Sequence, residues 1–214
     1  MSETFFLSIE RINFIHFSPM RINLLWKGLL YHSLESCLIS VTDKGVEVDS
    51  VIVGNYNNKI FRVEYFIKTN KNWETILCEV KTQFANERNL LNLQSDGNGN
   101  WTMNGQIAHQ FNGCIDIDIS LTPFTNTLPI NRLKLKENKK HLINVVYIDI
   151  LEKQVNPRQQ RYTKLSATEY KYENVPNDFE AIITVDELGL VVNYPGLFVR
   201  TAIEKVNESE RKVQ

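Results

Sequence analysis

The sequence has little of what disulfide-rich, metal-binding and membrane-spanning proteins require. Its 214 residues include 3 cysteines, which are far apart and show no C-x-x-C spacing. Neither a disulfide framework nor a zinc site is therefore predicted. The 4 histidines are scattered without partner spacing, so no metal cluster is predicted either. No run comes near the roughly 18 uncharged apolar residues of a transmembrane helix, and no integral membrane segment is expected.

An excess of charge of one sign is missing as well. Lys and Arg total 24 against 25 Asp and Glu, which gives a net charge of −1. A chain without a basic surface is not expected to bind nucleic acid or an anionic membrane. The P-loop, G-x-G-x-x-G and G-x-S-x-G motifs are also absent. No catalytic residue and no cofactor is therefore predicted from a motif.

The N-terminal residues differ from the rest of the chain. Residues 5–17 are rich in aromatics but contain Glu10, Arg11 and His16, so they do not form the apolar core of a secretory signal. Together with the cysteine pattern, this predicts a cytoplasmic protein. We expect residues 1–19 to be an extension, residues 20–201 to be one domain, and residues 202–214 to be a charged tail.

Apolar and polar residues alternate along most of the chain, and turns rich in Gly, Asn and Asp interrupt them at intervals of about 8–12 residues. This spacing predicts an all-β fold, either a sandwich, a barrel or a roll. Hairpins are predicted at residues 36–53, 60–82 and 90–107. Very little helix is expected, with residues 86–91 and 202–213 as its candidates.

The most distinctive segment covers residues 113–133. It begins as a strand with isoleucines on one face and with Asp116 and Asp118 on the other. Two prolines, three threonines and an asparagine follow, which predicts a rigid loop before Arg132. This collection of carboxylates, hydroxyls, an amide and a guanidinium suits a polyhydroxylated or polar head group.

Two interpretations of the aspartates remain open. Asp116 and Asp118 are two residues apart on a strand, so their carboxyl groups are expected roughly 6–7 Å apart. Paired carboxylates at that separation are used in glycoside hydrolysis. The simpler interpretation is the solvent-facing side of a half-exposed strand, and we prefer it to catalysis.

A second polar and aromatic cluster follows at residues 159–163. Arg161 and Tyr162 are suited to stacking on a sugar or, for the arginine, to pairing with an acid such as Asp116. Cross-strand aromatic packing with a structural ion pair is the alternative. Arg200 follows a Pro-Gly turn and returns another guanidinium towards the predicted sheet.

Several of these motifs together resemble the signature of the bacterial putative glycolipid-binding family over roughly residues 21–200. They are W-K-G at 26–28, L-E at 34–35, D-G-N-G-N-W at 96–101, T-P-F-T-N-T-L-P at 122–129, Q-R-Y-T at 160–163 and Y-P-G-L at 194–197. The resemblance implies one large antiparallel spiral β-roll, or half-barrel, similar to envelope lipoproteins that carry lipids or glycolipids in an apolar cavity. Asn131 departs from the pattern, because a second basic residue often precedes Arg132 there.

Our leading hypothesis is a non-enzymatic binder of an amphipathic glycolipid or another sugar-bearing molecule. The predicted ligand-binding residues lie at one rim of the roll: Asp116, Asp118, Thr122, Asn126, Arg132, Arg161, Tyr162 and Arg200. A carbohydrate-acting hydrolase using Asp116 and Asp118 is one alternative. A structural or partner-binding β-module, in which the polar groups hold an irregular loop, is the other.

Overall fold

The structure, a computed structural model, describes residues 19–207, which form one 15-stranded sheet curled around one α-helix. The strands are β1 (Met20–Gly28), β2 (Ser33–Thr42), β3 (Gly45–Tyr56), β4 (Lys59–Thr69), β5 (Thr75–Phe84), β6 (Glu87–Ser95), β7 (Trp101–Met103), β8 (Gln106–Ile107), β9 (Asp116–Ile119), β10 (Lys140–Asp149), β11 (Gln154–Lys164), β12 (Glu169–Val175), β13 (Glu180–Val185), β14 (Val191–Tyr194) and β15 (Phe198–Asn207). The helix is α1 (Phe124–Leu133), and a short 3-10 turn covers His109–Phe111.

The first and last strands lie next to each other in the middle of the sheet. β1 pairs with β15, and the order across the sheet is β8-β7-β6-β5-β4-β3-β2-β1-β15-β14-β13-β12-β11-β10-β9. Neighbouring strands are antiparallel except β9 and β10, which are parallel. The two described ends of the chain therefore lie side by side, while β8 and β9 form the edges.

The strands follow the alternation of the sequence. In β2 the side chains of Ser33, Glu35, Cys37 and Ile39 are buried, and those between them are exposed up to Leu38. A slip of one residue would place this whole set in solvent, so burial fixes the register. The predicted all-β roll and its three hairpins are confirmed.

Contacts between distant strands curl the sheet. The Trp101 indole on β7 donates a hydrogen bond of 2.7 Å to the carbonyl of Cys114, just before β9. Lys153, in the turn between β10 and β11, forms an ion pair with Glu87 at the start of β6. These contacts bring the two edges of the sheet towards each other and leave an enclosed interior.

The prediction of a rigid loop after Leu121 is wrong, because Phe124–Leu133 form helix α1. The Thr122 hydroxyl accepts a hydrogen bond of 3.0 Å from the Phe124 N–H at its start, and Lys134 ends it with a φ of +47°. Residues 124–130 are all buried, although Pro129 removes one donor within the helix. Burial inside the roll, rather than helix propensity, therefore stabilises α1.

Helix α1 also changes the environment of β9. The aspartate face was expected to meet solvent, but Asp116 is fully buried and Asp118 is partly buried. Thr125 and Arg132 of α1 bind this face, and Ile117 on the opposite face belongs to the main core. β9 is thus covered on both sides.

Two further helix predictions are wrong where the structure describes them. Residues 87–91 belong to β6, and residues 202–207 belong to β15. Residues 1–18 and 208–214, which include most of the predicted extension and the end of the predicted tail, lie outside the described residues.

Candidate functional site

A cavity of about 430 Å³ opens between α1 and the strands of the C-terminal half of the sheet. We call it the tyrosine cavity, because Tyr31, Tyr147, Tyr172 and Tyr194 line it. Its other lining residues are Leu30, Asp118, Ile119, Ser120, Thr122, Asn126, Asp149, Arg158, Gln159, Gln160, Asn174, Val175, Pro176, Asp178, Phe179, Leu197 and Phe198. Volume and lining are typical of a small-molecule site with a few polar groups among aromatic ones.

Aromatic rings form a continuous wall of this cavity. Tyr172, Phe179 and Tyr194 lie with each pair of ring centroids 6.1 to 6.2 Å apart. Phe198 extends the wall from Tyr194 to Tyr31, at 6.2 Å from each ring. The angles between neighbouring ring planes range from 37° to 65°, so these rings are tilted against one another and not stacked face to face.

Asp118 is one of three aspartates that line this cavity. Its oxygens accept hydrogen bonds from the Thr125 hydroxyl at 2.9 Å and from the Gln160 amide at 2.6 Å. Burial raises the pKa of Asp118, against these two hydrogen bonds. Among residues 19–207, no Lys, Arg or His forms an ion pair with Asp118.

The charge of Asp118 reaches the surrounding tyrosines. Burial first, and then the negative charge of Asp118, raise the pKa of Tyr147, Tyr162, Tyr172 and Tyr194. These hydroxyls therefore stay protonated at neutral pH and remain available as donors. The charge of Asp118 thus acts on three tyrosines that line the cavity and on Tyr162.

Thr122 connects the cavity to a buried acid on β2. Its hydroxyl donates a hydrogen bond of 2.9 Å to Glu35 Oε1, which also accepts from Tyr65 at 2.5 Å and from Ser50 at 2.8 Å. Glu35 is 2% exposed, and its Oε2 has no partner among the described residues. Burial raises the pKa of Glu35 to about 7, because the three hydroxyls only partly offset desolvation.

Asn126 and Tyr162 meet behind the aromatic wall. Asn126, on α1, lines the cavity and donates a hydrogen bond of 2.8 Å from its amide to the Tyr162 hydroxyl on β11. Tyr162 is buried and contacts Tyr172 edge-on at 5.4 Å, but it is not among the lining residues. This pair joins the helix to the sheet at the site.

Asp116 and Arg132 form a two-point ion pair within the fold. Arg132 Nε donates to Asp116 Oδ1 at 3.0 Å, and its Nη2 donates to Oδ2 at 2.6 Å. Both carboxylate oxygens are occupied, and neither residue lines the tyrosine cavity. The pair fixes the end of α1 to β9.

The structure places Arg161 and Arg200 away from the cavity lining. Arg161 alternates with the inward Gln160 and Tyr162, and its guanidinium lies 3.7 Å from Glu173. Arg200 pairs with Asp186 at 2.6 Å. Of the eight residues predicted to bind ligand, the structure therefore brings Asp118, Thr122 and Asn126 to the cavity surface.

A second, larger cavity lies next to the tyrosine cavity. This cavity, of about 920 Å³, we call the apolar cleft after its apolar and aromatic lining residues, which are Val53, Tyr56, Ile60, Phe61, Phe84, Ala85 and Leu151. Polar and charged residues also line it, namely Asn57, Asn58, Lys59, Arg62, Gln83, Asn86, Glu87, Glu152 and Lys153. Ile60, in this lining, is 78% exposed.

Sequence reasoning missed most of the aromatic wall. Tyr31 and Tyr147 lie in a turn and on a strand without a distinctive motif. One signal was available: alternation in β11 places Gln160 on the same face as Tyr162.

The described residues contain neither a membrane-spanning helix nor a metal-binding group. No helix between residues 19 and 207 is long and apolar enough to cross a membrane. Within the same range, no group of three or more His, Cys, Asp or Glu side chains is placed to hold a metal ion.

Comparison with known proteins gives one family and two similar folds. Residues 23–200 match the family described as "Putative glycolipid-binding". A DUF1089 family protein from Pseudomonas aeruginosa is 33% identical, with a TM-score of 0.71 over 79% of this chain and 92% of that chain. A β-barrel-like protein of domain of unknown function DUF1849 from Brucella abortus is 7% identical, with a TM-score of 0.52 over 89% and 98% of the chains, and shows likeness of fold alone. No curated protein matches the chain significantly.

Proposed function

This chain belongs to the family described as "Putative glycolipid-binding", and from that premise we propose that it binds an amphipathic glycolipid without transforming it. The observation that carries the proposal is that two unlike cavities have linings in contact through Tyr31 and Tyr56. One is polar and aromatic, the other is largely apolar, and a pair of tyrosine rings separates them. A molecule with a sugar at one end and a hydrocarbon chain at the other fits both.

The tyrosine cavity supplies what a sugar head needs. The rings of Tyr172 and Tyr194 line the cavity and offer an aromatic surface to the C–H face of a pyranose, and Asp118 and Gln160 bind hydroxyl groups. A volume of about 430 Å³ is of the size that holds a small polar head group.

The apolar cleft supplies a surface for the hydrocarbon chain. Ile60 and Phe84 lie along it, and covering Ile60 removes apolar surface from water. Each buried methylene contributes up to about 0.8 kcal/mol, or roughly fourfold in affinity. The chain length of the ligand should therefore matter.

This function requires no acid–base pair. Asp116 is held at both oxygens by Arg132, and Asp118 is held by Thr125 and Gln160. In a binder these carboxylates position the helix and the ligand, and the alternative of a hydrolase gains no support from this arrangement.

The test is direct ligand detection followed by titration. Protein purified without detergent is examined by native mass spectrometry and lipid extraction, and hexyl, octyl and decyl glucosides are then titrated by calorimetry. We expect a co-purified glycolipid mass, and affinity that rises with chain length. Protein that is always free of ligand and gives no heat with any glucoside would contradict the proposal.

A matched pair of variants locates the site. Leu30 lines the tyrosine cavity and is 49% exposed, so Leu30→Trp should narrow the cavity without disturbing the core and weaken octyl glucoside binding by about tenfold. Leu34 is 47% exposed and lines neither cavity, so Leu34→Trp should bind as the parent does. Equal affinity of the two variants would place the ligand elsewhere.

A further inference from the structure

We propose that the tyrosine cavity selects a polar head that carries a positive charge, with a protonated amino sugar as the class of ligand. This inference rests on the proposed function, because it specifies the head group of the same glycolipid. The distinction from a neutral sugar is testable, since the two heads differ in one functional group.

The first argument is the charge of the lining. Asp118, Asp149 and Asp178 face the cavity, while Arg158 is its one basic lining residue, so the formal charge of the lining is negative. None of the four forms an ion pair with any group among residues 19–207. An anionic ligand would be repelled here, and a cationic one would be attracted.

The second argument is the position of Asp118. Its partners, Thr125 and Gln160, are neutral donors, so this partly buried carboxylate has no countercharge among residues 19–207. A carboxylate that has lost part of its hydration and has no countercharge is stabilised when a cation approaches it. A ligand ammonium at Asp118 would provide that charge and make a charge-assisted hydrogen bond.

The third argument is the aromatic wall. Tyr172, Tyr194 and Phe179 surround the same space at mutual centroid distances of 6.1 to 6.2 Å. Faces of aromatic rings carry negative partial charge and attract ammonium groups, most strongly where water is excluded. Rings and a carboxylate together are typical of cation recognition.

The experiment compares three probes with the same tail. Octyl glucosaminide, octyl glucoside and octyl N-acetylglucosaminide are titrated into the full-length protein at neutral pH. We expect the free amine to bind at least about tenfold more tightly than the other two. Added sodium chloride should weaken binding of the glucosaminide more than that of the neutral probes.

Variants assign the preference to Asp118. In Asp118→Asn the ratio of the glucosaminide affinity to the glucoside affinity should fall to about one, and the salt dependence should disappear. Glu169→Gln, at an exposed site outside both cavities, should retain the ratio. If Asp118→Asn does not fold, the salt dependence of the parent protein still decides the question.

The outcomes separate this inference from the proposed function. Equal affinity for all three probes, or tighter binding of a neutral one, overturns the cationic head and leaves glycolipid binding in place. Absence of binding by all three overturns both. A preference for the amine that survives in folded Asp118→Asn also overturns the inference.

Discussion

The rings of Tyr31 and Tyr56 meet at an angle of 60°, with centroids 5.7 Å apart, where the tyrosine cavity ends and the apolar cleft begins. Tyr31 lines the first and Tyr56 lines the second. A ligand that occupies both cavities must pass along this pair. The two parts of an amphipathic molecule would then meet different surfaces on either side of it.

The first prediction concerns the tail. Ile60→Asp places a charge in the apolar cleft at a position that is 78% exposed, so stability should change by about 0.5 kcal/mol or less. The charge would have to be desolvated by a hydrocarbon chain. We expect the increase in affinity from hexyl to decyl glucoside to be lost, as measured by calorimetry.

The matched control for this variant is Ile107→Asp. Ile107 is 72% exposed on the edge strand β8 and lines neither cavity. Its affinity should still increase with chain length. An unchanged chain-length dependence in Ile60→Asp would show that the tail does not lie in the cleft.

The second prediction tests the bond between α1 and the sheet. Asn126→Ala leaves the buried Tyr162 hydroxyl without its donor, which should cost about 1–3 kcal/mol of unfolding free energy. Tyr162→Phe should cost a similar amount, and the double variant should lose less than the sum. Urea unfolding measures all three.

An exposed amide serves as the reference for that cycle. Asn144 on β10 accepts a hydrogen bond from Gln159 at the surface, and Asn144→Ala should change stability by about 0.5 kcal/mol or less. Strict additivity of Asn126→Ala and Tyr162→Phe would mean that the two side chains do not cooperate.

The strands could be predicted from the sequence because each has its own alternating pattern, as in β2 and β4. The closure of the roll could not be predicted from the sequence. It depends on contacts such as that of Trp101 with the Cys114 carbonyl and of Lys153 with Glu87, which join segments through three-dimensional shape. Local periodicity carries no information about them.

Helix α1 shows where local reasoning fails. Pro123, Pro129 and the threonines favour a loop, and a loop was therefore the structure predicted from the sequence. The structure instead buries residues 124–130 and satisfies Thr125 and Asn126 with partners on β9 and β11. Tertiary burial overrides weak propensity, and it also brings Arg132 of α1 to Asp116 on β9.

The third prediction separates a structural role of Arg132 from the predicted ligand-binding role. Arg132→Met leaves the buried Asp116 carboxylate without its countercharge, which should cost about 3–5 kcal/mol. Adding Asp116→Asn to this variant should recover part of the loss. Thermal unfolding provides the measurement, together with titration of octyl glucoside.

An exposed ion pair calibrates this result. Arg62 pairs with Glu64 at 2.8 Å at the surface, so Arg62→Met should cost about 0–1 kcal/mol. If Arg132→Met unfolds like the parent but no longer binds octyl glucoside, Arg132 contacts the ligand after all.

The fourth prediction is a pH dependence of stability that originates at Glu35. Its pKa is raised from 4.5 to about 7 in the folded protein, so the folded state holds this proton more tightly than the unfolded state. Stability is therefore greatest below the unfolded pKa and falls as the pH rises to about 7. A shift of this size corresponds to about 3 kcal/mol.

Glu35→Gln isolates this contribution. The amide cannot titrate, so the difference in unfolding free energy between variant and parent should move in favour of the variant from about pH 5 to pH 8. Burial also raises the pKa of Asp116 and Asp118, but both remain in each protein and cancel in the difference. Glu137→Gln, at an exposed site, should follow the parent. Parallel curves for the parent and Glu35→Gln would mean that the three hydroxyls on Oε1 stabilise the ionised carboxylate as well as water does.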